Sequence, residues 1–303
     1  MDMELRVLRY FLAVAREESI TRAAESLHLS QPTLSRQLRD LEEELGKGLF
    51  IREPRRVLLT EDGMILRKRA EEILSLVEKA ESEIKTDDEG IAGDVYIGAG
   101  ETKGGHILTR TAAQVQRRHP NIRFHVFSGD TVNVLEQLDK GLIDFGLIFD
   151  PVDHTKYHVL EVPEQDTWGV LMRSDSPLAQ KESVTAKDLH DLPLIVSRQS
   201  RDNDTLSGWL GKPLSALHVA ATYNLAFNAS LMVADGMGYA LCLNRIINTE
   251  GSELVFRPLH PAQKASMSVI WKKYQVFSKA SECFLAALKE ELAQESSQGI
   301  TMV

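Results

Sequence analysis

The segment from Ser19 to Arg52 reads SITRAAESLHLSQPTLSRQLRDLEEELGKGLFIR and decides the fold of the first part of the chain. Its apolar residues recur with the period of amphipathic helices, and the pattern breaks once in the middle. One predicted helix is capped by Ser19 and the next by Ser30, with Pro32 tolerated in the first turn. Gly46 ends the second helix. The segment therefore predicts a helix-turn-helix.

The second helix has the features of a recognition helix for DNA. Its leucines form one stripe, its front half exposes small polar side chains and two arginines, and its acids follow in the rear half. A helix in the major groove presents its N-terminal residues to base edges. An ordinary solvated helix is the alternative, and the preceding helix makes it the poorer interpretation. We expect base contacts from Ser30, Gln31, Pro32, Thr33, Ser35, Arg36 and Arg39.

Two short apolar runs follow Gly48 on either side of an arginine-rich turn that contains Pro54. This pattern predicts a β-hairpin, the wing of a winged helix-turn-helix. Its arginines, Arg52, Arg55 and Arg56, are expected to contact the phosphate backbone. Such contacts contribute affinity rather than sequence preference.

The formal net charge of −9 is unexpected for a DNA-binding protein until it is divided along the chain. Residues 1–60 hold ten Lys and Arg against ten Asp and Glu, whereas residues 61–89 hold five against ten. Phosphate binding needs only a local basic stripe, and the arginines named above supply one. The charge balance is thus compatible with DNA binding but does not predict it.

Residues 1–63 resemble the winged helix-turn-helix of LysR-type transcriptional regulators, and the length of the chain fits that family throughout. The matching residues are Phe11, Ala15, Ser19, Thr21, Ala23, Ala24, Leu27, Ser30, Gln31, Pro32, Ser35, Leu38, Leu41, Glu42, Leu45, Gly46, Leu49, Phe50, Arg52, Leu59, Thr60 and Gly63. The resemblance implies a cytoplasmic bacterial regulator that binds interrupted dyad sites in double-stranded DNA. It also implies a homodimer or homotetramer, a small-molecule effector, contact with RNA polymerase, and neither a cofactor nor a metal.

A long helix is predicted next, capped by Thr60 and running to about Lys85. Six apolar residues in it are spaced four and three apart, which is a heptad seam. The narrow seam favours pairing with another helix, and packing against its own domain is the alternative. In the resembled family this linker helix dimerises. The seam consists of Leu66, Ala70, Ile73, Val77, Ala80 and Ile84.

Strands and helices alternate from Asp94 onward, which predicts a mainly parallel sheet covered on both faces. Strands are predicted at Val95–Ala99, Ile122–Phe127, Asp144–Phe149, Thr167–Arg173, Leu194–Ser197, His218–Thr222, Tyr239–Leu243, Leu254–Leu259 and Ser266–Lys272.

The expected organisation is a winged helix-turn-helix domain at 1–60, a linker helix at 61–89 and an α/β effector-binding domain at 90–303. The resemblance implies that the last domain has two Rossmann-like subdomains, like a type 2 periplasmic binding protein. Subdomain I is expected at about 90–162 and 266–303, and subdomain II at about 163–265.

A ligand of an open α/β sheet lies beyond the carboxyl ends of its strands, where helix N-termini point. The candidate effector contacts at these ends are Thr102, Ser128, Phe149, Ser197, Arg198 and Asn224. Hydroxyl groups, free backbone N–H groups and an arginine fork favour an anionic or carboxylate-bearing effector. Each residue could instead serve as a helix cap or a loop hydrogen bond.

Two other functions are compatible with parts of the sequence. The glycines between Gly98 and Gly104 resemble a dinucleotide fingerprint of an NAD-dependent enzyme, but Lys103 stands where the third glycine belongs. A solute-binding module would explain the α/β part but not residues 1–89, and would normally carry an export signal. No apolar run is long enough for a membrane span, so no membrane partner is expected. Cys242 and Cys283 are expected to be buried thiols, with a redox switch as the alternative.

Overall fold

The computed structural model describes residues 3–53, 56–84, 91–199 and 204–299. The chain divides into two compact units, Met1–Lys85 and Thr86–Val303, which are described separately below. None of the helices in these described ranges is long and apolar enough to cross a membrane.

The first unit is a winged helix-turn-helix followed by a long helix, which confirms the predicted fold. Its elements are α1 Leu5–Glu17, α2 Ile20–Ser26, α3 Gln31–Leu45, β1 Phe50–Arg52, β2 Val57–Leu59 and α4 Glu61–Ile84. Strands β1 and β2 are antiparallel, and Arg52 lies opposite Val57 in their register.

The helix boundaries follow from local chemistry. The Ser19 hydroxyl accepts a hydrogen bond from the Arg22 N–H at 3.4 Å, and the Ser30 hydroxyl accepts one from the Thr33 N–H at 3.3 Å. These caps satisfy N–H groups that have no partner inside the helix. His28, in the turn between α2 and α3, has a φ of 56°, and Gly46 ends α3 with a φ of 63°.

One apolar cluster unites the helices and the wing of the first unit. The predicted stripe of α3 is buried, and the small side chains of Ala23 and Ala24 let α2 lie close to its neighbours. The Phe50 ring contacts the Phe11 ring, with 5.2 Å between their centroids. The buried members are Leu8, Phe11, Ala13, Val14, Ala23, Ala24, Leu34, Leu38, Leu41, Leu49, Phe50, Ala70 and Leu74.

The second unit alternates strands and helices as predicted. Its strands are β3 Gly93–Ala99, β4 Ile122–Ser128, β5 Phe145–Phe149, β6 Tyr157–Arg173, β7 Leu194–Ser197, β8 Val219–Tyr223, β9 Tyr239–Leu243, β10 Leu254–Pro258 and β11 Lys264–Lys272. Its helices are α5 His106–Arg118, α6 Thr131–Asp139, α7 Ala186–Leu189, α8 Asp204–Leu210, α9 Ala226–Ala234 and α10 Lys279–Gly299.

These elements form two α/β lobes. Lobe I orders its strands β4-β3-β5-β11-β6, and lobe II orders them β8-β7-β9-β6, with β10 also paired to β6. Pairs β3–β4, β3–β5, β7–β8 and β7–β9 are parallel, whereas β6 and β11 run antiparallel to their neighbours. Helices cover both faces of each sheet, as the separate clusters on the two sides of each lobe indicate.

The strand β6 belongs to both lobes, and its length differs from the prediction. It begins at Tyr157, ten residues before the predicted Thr167, and its first part pairs with β11 while its last part pairs with β9 and β10. Pro163 and the neighbouring acidic residues concealed the strand, because proline and acids are depleted in strands. The chain passes between the lobes along β6 and again at the start of β11.

Candidate DNA-binding surface and effector cleft

The front half of α3 presents a polar surface with two cationic side chains. Most of the residues predicted to contact bases are exposed, and Ser35 is half-buried. Within the described part of the chain, the guanidinium groups of Arg36 and Arg39 form no ion pair. The surface consists of Ser30, Gln31, Pro32, Thr33, Ser35, Arg36 and Arg39.

The first two hydroxyl groups of this surface are engaged with each other. Ser30 Oγ and Thr33 Oγ1 lie 2.7 Å apart, and Ser30 Oγ also accepts from the Thr33 N–H. The hydroxyl of Ser30 therefore fixes the beginning of α3. Arg36 and Arg39, which have no such structural duty, are left as the long donors that can reach a ligand.

The arginines of the wing are paired with acids. Arg52 Nη2 donates to Glu42 Oε2 at 3.0 Å, and Arg56 Nε donates to Glu53 Oε2 at 2.7 Å. The hydrogen bond that Arg56 donates to Glu53 also raises the pKa of Arg56. Arg55 lies outside the described residues. The side chains of Arg56 and Glu53 are both exposed, and such a surface pair contributes little to stability and can exchange its partner for a phosphate.

Glu42 has a role that the sequence analysis missed. Its Oε1 accepts from the backbone N–H of Leu49 at 2.7 Å and of Phe50 at 3.2 Å, while its Oε2 accepts from Arg52. The sequence pattern shows Glu42 only as one of several acids in the rear half of α3. Its role could not be predicted from that pattern, because its partners follow it by seven to ten residues, beyond the end of the helix.

The predicted dimerisation seam of α4 needs a correction. Ala70 has none of its surface exposed, and Leu66 is half-buried against the same cluster, because α4 packs against α1 at this point. The alternative of packing within its own domain is therefore right for this half of the seam. Ile73 and Ile84 are 38% and 82% exposed, and the seam residue Ala80 is also exposed, while Val77 is half-buried.

The exposed apolar residues of α4 define a second face beside the buried one. Ile65 and Leu76 are 64% and 40% exposed, and neither belonged to the predicted seam. At 100° per residue, Ile65 and Leu76 lie about 140° and about 120° around the helix from Ala70. Ile73, Ala80 and Ile84 lie between these two residues and Ala70. We call the set Ile65, Ile73, Leu76, Ala80 and Ile84 the free face of α4.

A cavity of about 260 Å³ opens between lobes I and II. It combines polar groups with an aromatic and aliphatic wall, and it contains two carboxylates and one ammonium group. Its lining residues are Gly100, Glu101, Gly129, Phe149, Asp150, Trp168, Ser197, Gln199, Tyr223, Asn224, Leu243, Ile246, Lys264, Ala265 and Ser266. We call this cavity the cleft.

The structure brings only part of the predicted effector set to the cleft. Phe149, Ser197 and Asn224 line it. Thr102 and Ser128 line a neighbouring pocket of about 310 Å³ against α5 and β4. Arg198 is exposed and lies outside the lining of either cavity, although it directly follows the lining residue Ser197.

The hydroxyl group of Thr102 forms hydrogen bonds within the protein. Its hydroxyl donates to Asp166 Oδ2 at 2.5 Å and accepts from the Gly104 N–H at 3.0 Å. It thus links the end of β3 to the part of β6 that runs between the lobes. Burial raises the pKa of Asp166, and the hydrogen bond from Thr102 opposes that rise.

Several lining residues lie at or next to the strand ends that the sequence analysis considered, but they were not among the candidates chosen there. Glu101 and Asp150 come directly after Gly100 and Phe149, and Gln199 follows Arg198, so their positions at strand ends were a usable signal. No such signal exists in the sequence for Trp168 and Lys264, since they lie where β6 and β11 pass between the lobes.

Glu101 and Gln199 each form a hydrogen bond that connects the lobes at the cleft. The Glu101 carboxylate of lobe I accepts from the Ala226 N–H, at the start of α9 in lobe II. Conversely, Gln199 of lobe II accepts from the Thr131 N–H at 3.2 Å, at the start of α6 in lobe I. Each lobe therefore supplies an acceptor for a helix N-terminus of the other, which favours the present arrangement of the lobes.

The chain matches two family models that together cover most of its length. The model for the bacterial regulatory helix-turn-helix protein, lysR family, matches residues 5–64, and the model for the LysR substrate binding domain matches residues 88–293. This chain is a LysR-type transcriptional regulator. The family consists of DNA-binding regulators and not of enzymes, so the NAD-dependent alternative was wrong. Gly104 instead lies against Met267, where a side chain would collide with the sulfur.

Named relatives agree with this assignment. The Hca operon transcriptional activator HcaR of Escherichia coli K12 is 29% identical over 298 residues, which cover 96% of this regulator and 99% of the relative. The HTH-type transcriptional regulator BsdA of Bacillus subtilis 168 is 38% identical over 200 residues, or 65% of this chain and 67% of BsdA.

Solved structures share the fold. Full-length CbnR in complex with its target DNA matches this regulator with a TM-score of 0.73 at 20% sequence identity. The match covers 95% of this regulator and 100% of the CbnR chain. Full-length BenM has a TM-score of 0.52 at 26% identity, with 98% of each chain covered. The predicted family, fold class and absence of enzymatic activity are confirmed, whereas the individual site residues stay predictions.

The cysteines differ in accessibility. Cys242 is buried in lobe II, and burial raises the pKa of its thiol to about 12. Cys283 is half-buried, and burial raises its pKa too. Both thiols therefore stay protonated near neutral pH, the less reactive form.

Proposed function

We propose that this regulator binds an interrupted dyad in double-stranded DNA as a dimer, with α3 in the major groove and the wing on the phosphate backbone. The observation that carries the proposal is that Arg36 and Arg39 are exposed on α3 and have no ion-pair partner among the residues that the structure describes. Arginine donates two parallel hydrogen bonds to guanine, the commonest specific contact in the major groove. Ser30, Gln31, Pro32, Thr33 and Ser35 complete the surface, and Arg52, Arg55 and Arg56 serve the phosphates.

The free face of α4 is the proposed dimer contact. Exposed Ile65, Ile73, Leu76 and Ile84 in one stripe favour burial against a second copy, because contiguous apolar surface mostly marks an interaction site. Pairing of α4 would set the distance between the two recognition helices and hence between half-sites. A homotetramer would need a further contact, and exposed Val126 on β4 and exposed Phe227 and Leu231 on α9 are among the apolar side chains that could supply it.

The cleft is the proposed effector site, and the effector is a small carboxylate-bearing molecule. Lys264 supplies the positive charge, and Ser197 and Asn224 supply hydrogen bonds beside it. The carboxylates of Glu101 and Asp150 favour an effector that also carries donors, such as hydroxyl or amino groups. Phe149 and Trp168 provide an apolar wall, which is typical of small-molecule sites.

Effector binding is coupled to transcription through the arrangement of the lobes. The effector can shift this arrangement only by its difference in affinity between the two states. The hydrogen bonds of Glu101 and Gln199 across the cleft are the contacts that such a shift would change. The altered assembly then changes DNA bending and contact with RNA polymerase in the bacterial cytoplasm, where the DNA lies.

Selection of duplexes from a random pool by the full-length protein tests the DNA-binding part. We expect enrichment of two inverted half-sites, and a pool that stays random after several rounds would contradict the proposal. Thermal-shift screening with hydroxy- and amino-carboxylates tests the cleft. Stabilisation of wild type but not of Lys264→Ala is expected, and equal stabilisation of both would exclude Lys264 as the carboxylate contact.

A further inference from the structure

The carboxylate of Glu42 makes three charge-assisted contacts at the junction of α3 and the wing. One oxygen, Oε1, accepts from the N–H groups of Leu49 and Phe50, and the other, Oε2, accepts from Arg52. The side chain of Glu42 is 16% exposed, whereas that of Arg52 is 43% exposed. The carboxylate thus lies mainly inside the unit, and the guanidinium group it holds points toward solvent.

The negative charge of Glu42 beside the proposed DNA-binding surface needs a physical explanation. A carboxylate close to a DNA backbone repels the phosphates unless its charge is balanced. Here two backbone N–H groups and one guanidinium group balance it. A carboxylate with fixed partners on both oxygens orients those partners, because charge-assisted hydrogen bonds are the stronger and more directional ones.

We propose that Glu42 is a positioning residue for DNA binding. It fixes the base of the wing to the recognition helix, and it holds the guanidinium group of Arg52 in the orientation in which that group meets a phosphate. Arg52 donates to Glu42 through Nη2, which leaves its other N–H groups for the DNA among the contacts that the structure describes. The proposal rests on the proposed DNA-binding function and assigns to α3 a second duty beside base contact.

The two oxygens allow the two duties of Glu42 to be separated. In Glu42→Gln the amide oxygen can still accept from Leu49 and Phe50, but the amide nitrogen cannot accept from Arg52. This variant therefore keeps the backbone anchor and releases only the arginine. Glu42→Ala removes both contacts and should also lower the melting temperature.

The salt dependence of DNA binding is the decisive readout, because it counts phosphate contacts. Binding of full-length wild type, Glu42→Gln, Arg52→Ala and the double variant is measured on the selected duplex and on a scrambled duplex. We expect Glu42→Gln to weaken binding about tenfold and to reduce the slope of log K against log salt by about 0.9, as the loss of one phosphate contact would. The double variant should lose no more than Arg52→Ala, since both changes remove one contact.

Three results would overturn the proposal. An unchanged slope in Glu42→Gln would mean that Glu42 serves only the fold, and a steeper slope would mean that it withholds Arg52 from the DNA. An unchanged slope in Arg52→Ala, which leaves the backbone anchor intact, would remove Arg52 from the phosphate contacts even if Glu42→Gln did not fold. If wild type bound both duplexes equally, the proposed function itself would fail, and this outcome is separate from the other three.

Glu44→Gln is the matched control. Glu44 is exposed and lies about 140° around α3 from Arg39, so the substitution removes the same charge from the same helix away from the proposed base-reading face. It should leave the salt slope unchanged.

Discussion

The proposed DNA-binding surface of α3 and the cleft belong to one chain, yet their residues are assembled in different ways. The surface of α3 comes from seven residues within a segment of ten, and helix periodicity brings them together. The cleft collects residues from Gly100 to Ser266, and they come from several loops and strands that are far apart in the sequence. A surface built from one helix can be predicted residue by residue, whereas a cavity between two lobes can be predicted only as a region.

The largest expected effect concerns α4. Periodicity predicted one dimerisation seam along this helix, but in the structure part of the seam is buried within its own unit and part is exposed. Leu76→Lys places a charge on the free face and should dissociate the dimer, since burying a leucine contributes about 2 kcal/mol in each copy. Sedimentation velocity should then give a monomer that no longer binds the dyad.

Ser75→Lys adds the same charge beside the free face, on an exposed position that points elsewhere. It should leave the dimer intact. If Leu76→Lys remained dimeric, the free face would not be the contact.

The next effect concerns base reading by α3. Arg36→Ala should weaken binding to the selected duplex by about 1–3 kcal/mol, because a bidentate contact to guanine contributes that much discrimination. Fluorescence anisotropy on matched and scrambled duplexes measures it. Arg117→Ala, which removes an exposed arginine from α5, serves as the control. Equal losses on both duplexes would assign Arg36 to phosphate binding instead.

A smaller effect on effector affinity distinguishes Lys264, which lines the cleft, from Arg198, the cationic contact predicted from the sequence. Lys264→Ala should weaken binding of a carboxylate effector by about 1.5 kcal/mol, the loss expected of a hydrogen bond to a charged group. Arg198→Ala should change nothing, because Arg198 does not line the cleft. Isothermal titration calorimetry on the two variants measures these affinities. Weaker binding by Arg198→Ala and unchanged binding by Lys264→Ala would restore the sequence-based prediction.

The smallest effect is on stability. Because the pKa of Asp166 is raised above its ordinary value of 3.8, its ionised form is disfavoured in the folded protein. Its contribution to stability is therefore present below that ordinary value and is lost as the pH rises through the raised pKa. Asp166→Asn stays neutral and can still accept from Thr102.

We expect the melting temperature of Asp166→Asn to exceed that of wild type by an amount that grows between pH 4 and pH 7. The exposed Asp191→Asn should show no such trend. A constant difference across this range would contradict the assignment.

Much of the fold could be predicted because its signals are local. The caps Ser19 and Ser30 and the terminating Gly46 lie where the sequence placed them, since each acts on its own helix. The first part of β6 could not be predicted, because it is a strand only through its pairing with β11. The contacts of Glu42 and the burial of Ala70 likewise depend on neighbours brought close by folding.

The spacing of the two half-sites tests the central claim most directly. In a dimer joined along α4, the recognition helices must meet the same face of the duplex about one turn, or 10–10.5 bp, apart. Affinity is measured on the selected duplex and on the same duplex with about half a turn, 5 bp, inserted between the half-sites. The account predicts that the insertion lowers affinity to the level of the scrambled duplex. Equal affinity for both duplexes would contradict it.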